Sequence, residues 1–285
     1  MRRFSLLSIL LFLYAVMPIC AASAQSFRPV PGKLASIALG GTQTGAVAVW
    51  GLDSAQNIYA FDGLLFDHVP GSLSQISVDG LLVCGISANS DIFCTLGAGF
   101  NFVQLPGKLS QISVHGDAVW GISASQDVYQ FDFTSQTFKQ VPGKLSQIAV
   151  DAIPGSNPVV LGISADQNVY FYDGTQFVQI PGQLTQIAVG GVGDEVWGIN
   201  ASQQIYRFNF DSNTFVQVPG SLKMISVGGP VGHVGVWGLN AANNVFEFVD
   251  GTGFVQIPGH LTQIAVFGDN VWGINSNQDI FRFGF

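Results

Sequence analysis

The chain has 285 residues, 48% of them hydrophobic, with a formal net charge of −8 at pH 7 and a sequence pI of about 4.6. An acidic surface lacks the basic footprint that nucleic-acid phosphates require, and anionic lipid headgroups repel it, so neither is an expected partner. The acidic residues are 16 Asp but only two Glu, Glu195 and Glu247, and this bias favours strands and tight turns over helices.

The first 24 residues are predicted to be a signal peptide. Arg2 and Arg3 form a positive n-region, residues 4–16 are apolar, and small residues at 22–24 precede Gln25 as a cleavage site. The apolar stretch is shorter than the roughly 20 residues that span a bilayer. We therefore expect a secreted extracellular protein of residues 25–285, periplasmic if the source is bacterial, with no membrane insertion. An uncleaved signal anchor is the alternative.

The remaining chain is a repeat. A Pro-Gly pair recurs seven times at intervals of 36 to 39 residues, and each pair is followed by runs resembling LTQIAVG, VWGIN, IYRF and FVQVPG. A period in the high thirties with four short β-like runs is typical of the blades of an all-β propeller. The pairs begin at Pro31, Pro70, Pro106, Pro142, Pro181, Pro219 and Pro258.

One unit shows the predicted blade. Its strands are 222–229, 236–240, 244–248 and 254–258. Apolar residues occur on both faces of these strands, which predicts a four-stranded antiparallel sheet covered on both sides by its neighbours.

The phase of the repeats predicts how the ring closes. The chain after the signal peptide begins with a fourth strand, 27–31, and ends with a third strand, 280–283, so the N-terminal segment completes the last blade and hides its edge. We predict seven blades; six closed blades plus a stray unit is the alternative. The predicted blades are about 33–70, 72–106, 108–142, 144–181, 183–219, 221–258, and 260–285 plus 27–31.

The hairpin between the second and third strands places a glycine opposite an aromatic residue in every repeat. A ring over a strand glycine is expected to fill the missing side chain and fix the register. The predicted pairs are Gly51–Tyr59, Gly85–Phe93, Gly121–Tyr129, Gly162–Tyr170, Gly198–Tyr206, Gly238–Phe246 and Gly273–Phe281.

The position before this glycine is Trp in five repeats, Cys84 in the second and Leu161 in the fourth. Cys84 would lie opposite Cys94, and a secreted protein permits a disulfide there; two buried free thiols are the alternative. Two of the tryptophans would lie opposite arginine and form cation–π pairs, Trp197–Arg207 and Trp272–Arg282.

The cross-strand partners of these tryptophans predict a binding site. They range over Ala, Gln, Arg and Glu, so we expect the indole rings to be partly exposed in grooves between blades. An exposed ring beside a polar side chain suits a sugar, whose C–H face stacks while its hydroxyls form hydrogen bonds. The alternative is that each Trp packs blade against blade. The candidate carbohydrate-binding residues are Trp50, Trp120, Trp197, Arg207, Trp237, Glu247, Trp272 and Arg282.

The order Pro-Gly, IAVG, VWGIN and then Q-D/N-I-Y/F over residues 27–283 resembles the tectonin β-propeller repeat. The resemblance implies a lectin that binds surface glycans through several similar sites, as tectonin-like lectins do. Two features depart from it: blades 2 and 4 lack the Trp, and family lectins often have six blades. Since related repeats also occur in scaffolds, the alternative is an extracellular protein-interaction scaffold that keeps its partner when glycans compete.

Nothing in the sequence marks an enzyme. No nucleophile elbow, HExxH, P-loop or CxxC is present, and no spacing indicates a metal site or cofactor. Calcium stays possible but has no EF-hand or RTX-type motif to support it. The remaining enzymatic hypothesis places Asp79, His115, Asp151 and Phe267 together on the channel face, where the carboxylates and imidazole could hold a cation or transfer protons.

Overall fold

The computed structural model describes residues 25–41, 46–80, 82–95, 101–152, 157–191, 193–230 and 232–284. The predicted signal peptide lies outside them. All regular structure in these segments is β-strand, and 28 strands form seven four-stranded antiparallel sheets. The chain is thus a seven-bladed β-propeller, and the six-blade alternative is wrong. Within the same segments no helix is long and apolar enough to cross a membrane.

The strands run outward from the channel in each blade. Blade 1 contains β2 (Ser36–Gly41), β3 (Val47–Leu52), β4 (Asn57–Phe61) and β5 (Phe66–Ser72); blade 2 contains β6 (Gln75–Asp79), β7 (Leu82–Ile86), β8 (Asp91–Thr95) and β9 (Phe102–Lys108); blade 3 contains β10 (Gln111–His115), β11 (Ala118–Ile122), β12 (Asp127–Asp132) and β13 (Thr137–Lys144). Blade 4 contains β14 (Gln147–Asp151), β15 (Val159–Ile163), β16 (Asn168–Tyr172) and β17 (Phe177–Gln183); blade 5 contains β18 (Gln186–Gly190), β19 (Glu195–Ile199), β20 (Gln204–Asn209) and β21 (Thr214–Ser221); blade 6 contains β22 (Met224–Gly228), β23 (Gly235–Leu239), β24 (Asn244–Val249) and β25 (Gly253–His260); blade 7 contains β26 (Gln263–Phe267), β27 (Asn270–Ile274), β28 (Asp279–Gly284) and β1 (Ser26–Lys33).

The ring closes through the N-terminal strand, as predicted. Strand β1 pairs antiparallel with β28, with Phe27 opposite Phe283 and Val30 opposite Ile280. Because β1 covers the free edge of β28, blade 7 is a complete four-stranded sheet.

The Pro-Gly pair forms a bulge in the outermost strand. In blade 1, Ile58 lies opposite Val69 while its neighbour Asn57 lies opposite Ser72, so Pro70 and Gly71 are two extra residues in β5. Proline donates no backbone hydrogen bond and is tolerated on an edge strand, and Gly71 has a φ of +135° that favours glycine. The predicted fourth strand ended at the proline, whereas the observed one continues through the bulge.

The glycine–aromatic register is confirmed, but the aromatic ring does not fill the space at the glycine. A Cβ atom added to Gly51 would lie 2.4 Å from Leu34 Cδ1, and all seven glycines face such a leucine at 2.2–2.5 Å. The glycine is therefore needed because a leucine preceding the first strand of its own blade occupies that space. The leucines, 1–2% exposed, are Leu34, Leu73, Leu109, Leu145, Leu184, Leu222 and Leu261.

Glutamine side chains join the innermost strands of successive blades. Gln75 Oε1 accepts a hydrogen bond from Ile112 N at 3.0 Å, and four more junctions repeat this contact through Gln111, Gln147, Gln186 and Gln263. Blades 1 and 6 have Ser36 and Met224 at this position. The junctions that follow those two blades are consequently built without the glutamine contact.

The five tryptophans are buried, with exposed fractions of 0–3%. The ring of Trp120 lies 4.8 Å from that of Tyr172 and 6.1 Å from that of Phe177, both in the next blade. The expected exposure in the grooves is therefore wrong, and packing blade against blade is what the structure shows. The other contacts are Trp50 with Phe102, Trp197 with Phe248 and Phe254, Trp237 with Phe27 and Phe283, and Trp272 with Phe61 and Phe66.

Blades 2 and 4 fill the same space without Trp. The predicted Cys84–Cys94 disulfide is present, with a Cα–Cα distance of 4.1 Å, and belongs to the apolar cluster that contains Phe131 and Phe138 of blade 3. Leu161 of blade 4 lies in a cluster with Phe208 and Phe215 of blade 5. Each junction thus places an apolar group of one blade against aromatic rings of the next.

We expect Trp272→Ala to lower the free energy of unfolding by about 3–5 kcal/mol, since it opens a cavity between blades 7 and 1. Trp272→Leu, which copies blade 4, is expected to cost less. Arg282→Ala removes the exposed partner of the same ring and serves as the control, with a loss below about 1 kcal/mol. Denaturant unfolding measures all three, and a Trp272→Ala loss as small as that of Arg282→Ala would contradict the packing role.

Candidate functional site

Every blade carries a row of cross-strand neighbours that includes the tryptophan position. In blade 5 the row is Ala188, Trp197, Arg207 and Val216, from the innermost strand to the outermost. The innermost residue is small in every blade, and the outer two differ from blade to blade and are accessible except at Ala60 and Cys94, which are buried. The residue that varies opposite the Trp therefore lies in the outer half of the row. The Trp itself lies in the inner half, where the next blade covers it.

The two predicted cation–π pairs are confirmed. The guanidinium carbon of Arg207 lies 5.5 Å from the centre of the Trp197 ring, and that of Arg282 lies 5.4 Å from Trp272. Arg207 also forms a two-point ion pair with Glu195, which accepts a further hydrogen bond of 2.7 Å from Trp197 Nε1. Arg207 is consequently paired within its own blade, and it also lies 3.8 Å from an Asp250 carboxylate oxygen and 5.9 Å from the centre of the Phe248 ring, both in blade 6.

Trp237 and Glu247 border a cleft of about 280 Å³ between blades 6 and 7. Burial, with the charge of Asp269 added, raises the pKa of the Glu247 carboxyl. At the mouth, His233 Nε2 lies 3.0 Å from an Asp269 carboxylate oxygen. The cleft is thus lined by aromatic rings and carboxylates. Of the eight sequence-predicted site residues, the structure brings these two together at an open cavity and seals Trp50, Trp120, Trp197 and Trp272 within junctions.

A cleft of about 670 Å³, which was not predicted from the sequence, lies between blades 4 and 5. None of its lining residues carries a formal charge: amides face it from both blades, beside the rings of Tyr206 and Phe215. Within the described residues, the side chains of Asn168, Gln179 and Gln183 form no hydrogen bonds. The lining residues are Asn168, Gln179, Pro181, Gly182, Gln183, Leu184, Asn200, Tyr206, Thr214 and Phe215.

The sequence signal for this cleft is a substitution within the repeat. Asn168 and Gln183 lie opposite one another at a register position that holds an ion pair in three other blades. The ion pairs are Asp91–Lys108 at 2.7 Å, Asp127–Lys144 at 2.8 Å and Asp279–Lys33 at 2.6 Å. Blade 4 replaces both charges with amides, which can still donate and accept hydrogen bonds but no longer satisfy one another electrostatically.

On the channel face, Asp79, His115 and Asp151 come together as predicted from three consecutive blades. His115 Nδ1 lies 2.9 Å from Asp151 Oδ1, and its Nε2 lies 3.7 Å from Asp79 Oδ1. Each carboxylate also accepts a backbone hydrogen bond from the next blade, Asp79 from Gly116 at 2.5 Å and Asp151 from Gly193 at 2.9 Å. The cluster therefore links blades 2 to 5.

The same contacts limit what the cluster can do chemically. Asp151 is fully buried and Asp79 nearly so, and no group of three or more His, Cys, Asp or Glu in the described residues is arranged to hold a metal ion. Phe267, the fourth residue of that hypothesis, belongs to blade 7 and packs toward Gly41, where an added Cβ would lie 2.5 Å from Phe267 Cε1. The arrangement fits an inter-blade clamp.

Comparison with known protein families shows a match over most of the chain. Residues 17–157, 150–231 and 230–284 match the family model described as "Tectonin domain". The chain belongs to the tectonin family. No curated protein matches the chain significantly.

Solved structures share the fold of this tectonin chain at low sequence identity. A chain of a mitotic checkpoint complex has a TM-score of 0.68 and 13% identity, with 97% of this chain and 98% of that chain covered. YCF48 bound to D1 peptide has a TM-score of 0.65 and 12% identity, covering 92% of this chain and 95% of that one. Human WBSCR16 has a TM-score of 0.59 and 14% identity, with 90% of each chain covered.

The channel cluster predicts a pH dependence. Burial disfavours the imidazolium, but the hydrogen bond to Asp151 and the charges of Asp151 and Asp79 outweigh it, so the pKa of His115 is raised above 6.5. Burial also raises the pKa of Asp79, against the opposing effects of the His115 charge and the backbone hydrogen bonds. The stabilisation from charged His115 is complete below about pH 6.5 and is lost as the pH rises through the raised pKa.

We therefore expect the thermal midpoint to fall as the pH is raised from about 6 to 9, and His115→Gln to flatten that slope while lowering the midpoint most at pH 6. Thermal unfolding followed by near-UV circular dichroism measures both. His233→Gln, which removes an exposed histidine, is the control. An unchanged slope in His115→Gln would contradict the clamp.

Proposed function

We propose that this protein is a secreted carbohydrate-binding propeller, and that its principal glycan site is the neutral cleft between blades 4 and 5. The observation that supports this proposal is the lining of that cleft. The amides of Asn168, Gln179 and Gln183, which form no hydrogen bonds within the described residues, lie beside two aromatic rings, and no lining residue carries a formal charge. Its volume lies within the range of small-molecule sites, about 300–1,000 Å³.

The chemistry of the cleft matches a neutral sugar. Amide groups both donate and accept, so Asn168, Gln179 and Gln183 suit vicinal hydroxyls, which also do both. The rings of Tyr206 and Phe215 offer apolar surface to the C–H face of a pyranose. A free carboxylate or ammonium group would instead favour a charged ligand.

The proposal differs from a ring of equivalent Trp-centred sites. The tryptophans are covered by neighbouring blades, and the equivalent cleft between blades 1 and 2, with Ser72 and Phe93 in place of Gln183 and Tyr206, is smaller, at about 300 Å³. One propeller molecule is then expected to bind glycan mainly through one cleft. Strong multivalent attachment requires several propeller molecules held together, or several glycans clustered on one surface.

A second candidate function is protein binding without sugar. Large apolar side chains are exposed on the hairpins that join third and fourth strands, including Leu64, Phe133 and Phe210. Contiguous exposed apolar surface marks protein interaction sites, and one structural neighbour, YCF48, is seen with a bound peptide. A partner retained in the presence of excess competing glycan would favour this function.

A glycan array probed with the purified protein, with and without calcium, tests the proposal, and we expect selective binding to a related set of neutral glycans. Asn168→Asp with Gln183→Lys, which imports the ion pair of blade 3, is expected to reduce binding at least tenfold by closing the cleft with charge. The matched control, Asn57→Asp with Ser72→Lys, changes the same register position in blade 1 and should bind as wild type. A blank array from folded protein, or equal loss in both variants, would contradict the assignment.

A further inference from the structure

The cleft between blades 6 and 7 is a different kind of site from the neutral cleft, and blade 5 shows what it lacks. In blade 5 a guanidinium group lies over Trp197 and pairs with Glu195. The three groups stabilise one another, because the ring of Trp197 attracts the guanidinium group and the carboxylate of Glu195 neutralises its charge.

Blade 6 keeps two of these three groups. Trp237 occupies the position of Trp197, and Glu247 occupies the position of Arg207. Gly235 occupies the position of Glu195 and borders the cavity, and Val266 and Gly268 of blade 7 pack against it where a side chain would begin. The blade thus has the ring and a carboxylate but not the cation.

The surroundings of Glu247 do not supply one. In the part of the chain that the structure describes, no lysine or arginine forms an ion pair with Glu247, and the charge that acts on it is that of Asp269. His233, at the mouth, faces Asp269. Two carboxylates therefore line a cavity whose walls include Trp237, Phe248 and Phe283.

We propose that this cleft binds a guanidinium group, the arginine side chain of a partner polypeptide. A planar guanidinium can face an aromatic wall and form parallel hydrogen bonds to a carboxylate, which is the arrangement that Arg207 makes within blade 5. The cavity, at about 280 Å³, accepts one such side chain and excludes a folded element.

The cleft also lies at a junction that lacks the glutamine contact between innermost strands. Met224 replaces the glutamine that joins the innermost strands at five other junctions. Here the strands are joined instead by a backbone hydrogen bond of 2.9 Å from Gly268 to Gly228, beneath the cleft. The innermost strands at this junction are consequently joined through backbone atoms and not through a glutamine side chain.

Isothermal titration of the full chain with N-acetyl-L-argininamide tests the proposal, with the isosteric neutral urea N-acetyl-L-citrullinamide as the comparison probe. We expect a dissociation constant near the millimolar range for the arginine probe, at least tenfold weaker binding of the citrulline probe, and weaker binding as salt is added. Equal binding of the two probes, or no binding of either, would overturn the proposal.

Variants locate the site. Glu247→Gln should weaken binding of the arginine probe at least tenfold, and Asp269→Asn, at an exposed loop position, should weaken it by a smaller factor. Asp67→Asn removes a carboxylate elsewhere on the surface and should leave the affinity unchanged. Glu247→Arg supplies the missing cation from within and is expected to abolish binding without loss of thermal stability. Wild-type affinity in both Glu247 variants would place the binding elsewhere and refute the assignment.

Discussion

The propeller depends on one contact, the insertion of an apolar group from one blade against the aromatic rings of the next. A four-stranded sheet is too thin to form a core by itself, so each blade is stable only when both faces are covered. Trp120 against Tyr172 and Phe177 is the most direct example, and the disulfide in blade 2 and Leu161 in blade 4 fill the same space by other means. Since this contact seals the inner half of each groove, ligands can reach only its outer half.

The fold could be predicted because its determinants are repeated. Seven units at nearly constant spacing give the number of blades, and their phase relative to the ends gives the closing strand. The cross-strand pairs followed from a hairpin length that is constant among the repeats, so Cys84 opposite Cys94 was predictable from the register that the repeats share. The space at the strand glycines was assigned wrongly because the leucine that fills it precedes the first strand and is distant in sequence from the hairpin.

The candidate site was less predictable, because it depends on what lies between blades. The residue opposite each Trp varies among the blades, and this variation was interpreted as a sign that the indole ring is exposed. The variation describes only the third strand, on which that residue lies. The sequence did contain a signal that the tryptophans are buried between blades. An aromatic residue is the first or second residue of the fourth strand in every repeat, as Phe102 and Phe177 are, and seven such rings require a large apolar partner. The depth of a cleft, by contrast, follows from blade geometry that no single repeat encodes.

Where the repeats differ, the chemistry of the ring differs. Blade 4 exchanges an ion pair for amides and leaves a neutral cleft, blade 6 exchanges Arg for Glu and leaves an acidic one, and blades 2 to 4 replace channel glycines with an Asp–His–Asp clamp. The constant residues thus hold the ring together, and we place binding at the exceptions to the pattern.

A double-mutant cycle between Trp272 and Phe61 tests this account most directly, because the two rings lie 4.7 Å apart across the junction between blades 7 and 1. Unfolding free energies of wild type, Trp272→Leu, Phe61→Leu and the double variant give the coupling energy. The account predicts a favourable coupling of about 0.5–1.5 kcal/mol. A coupling near zero, with the two losses simply additive, would show that the rings do not hold the blades together.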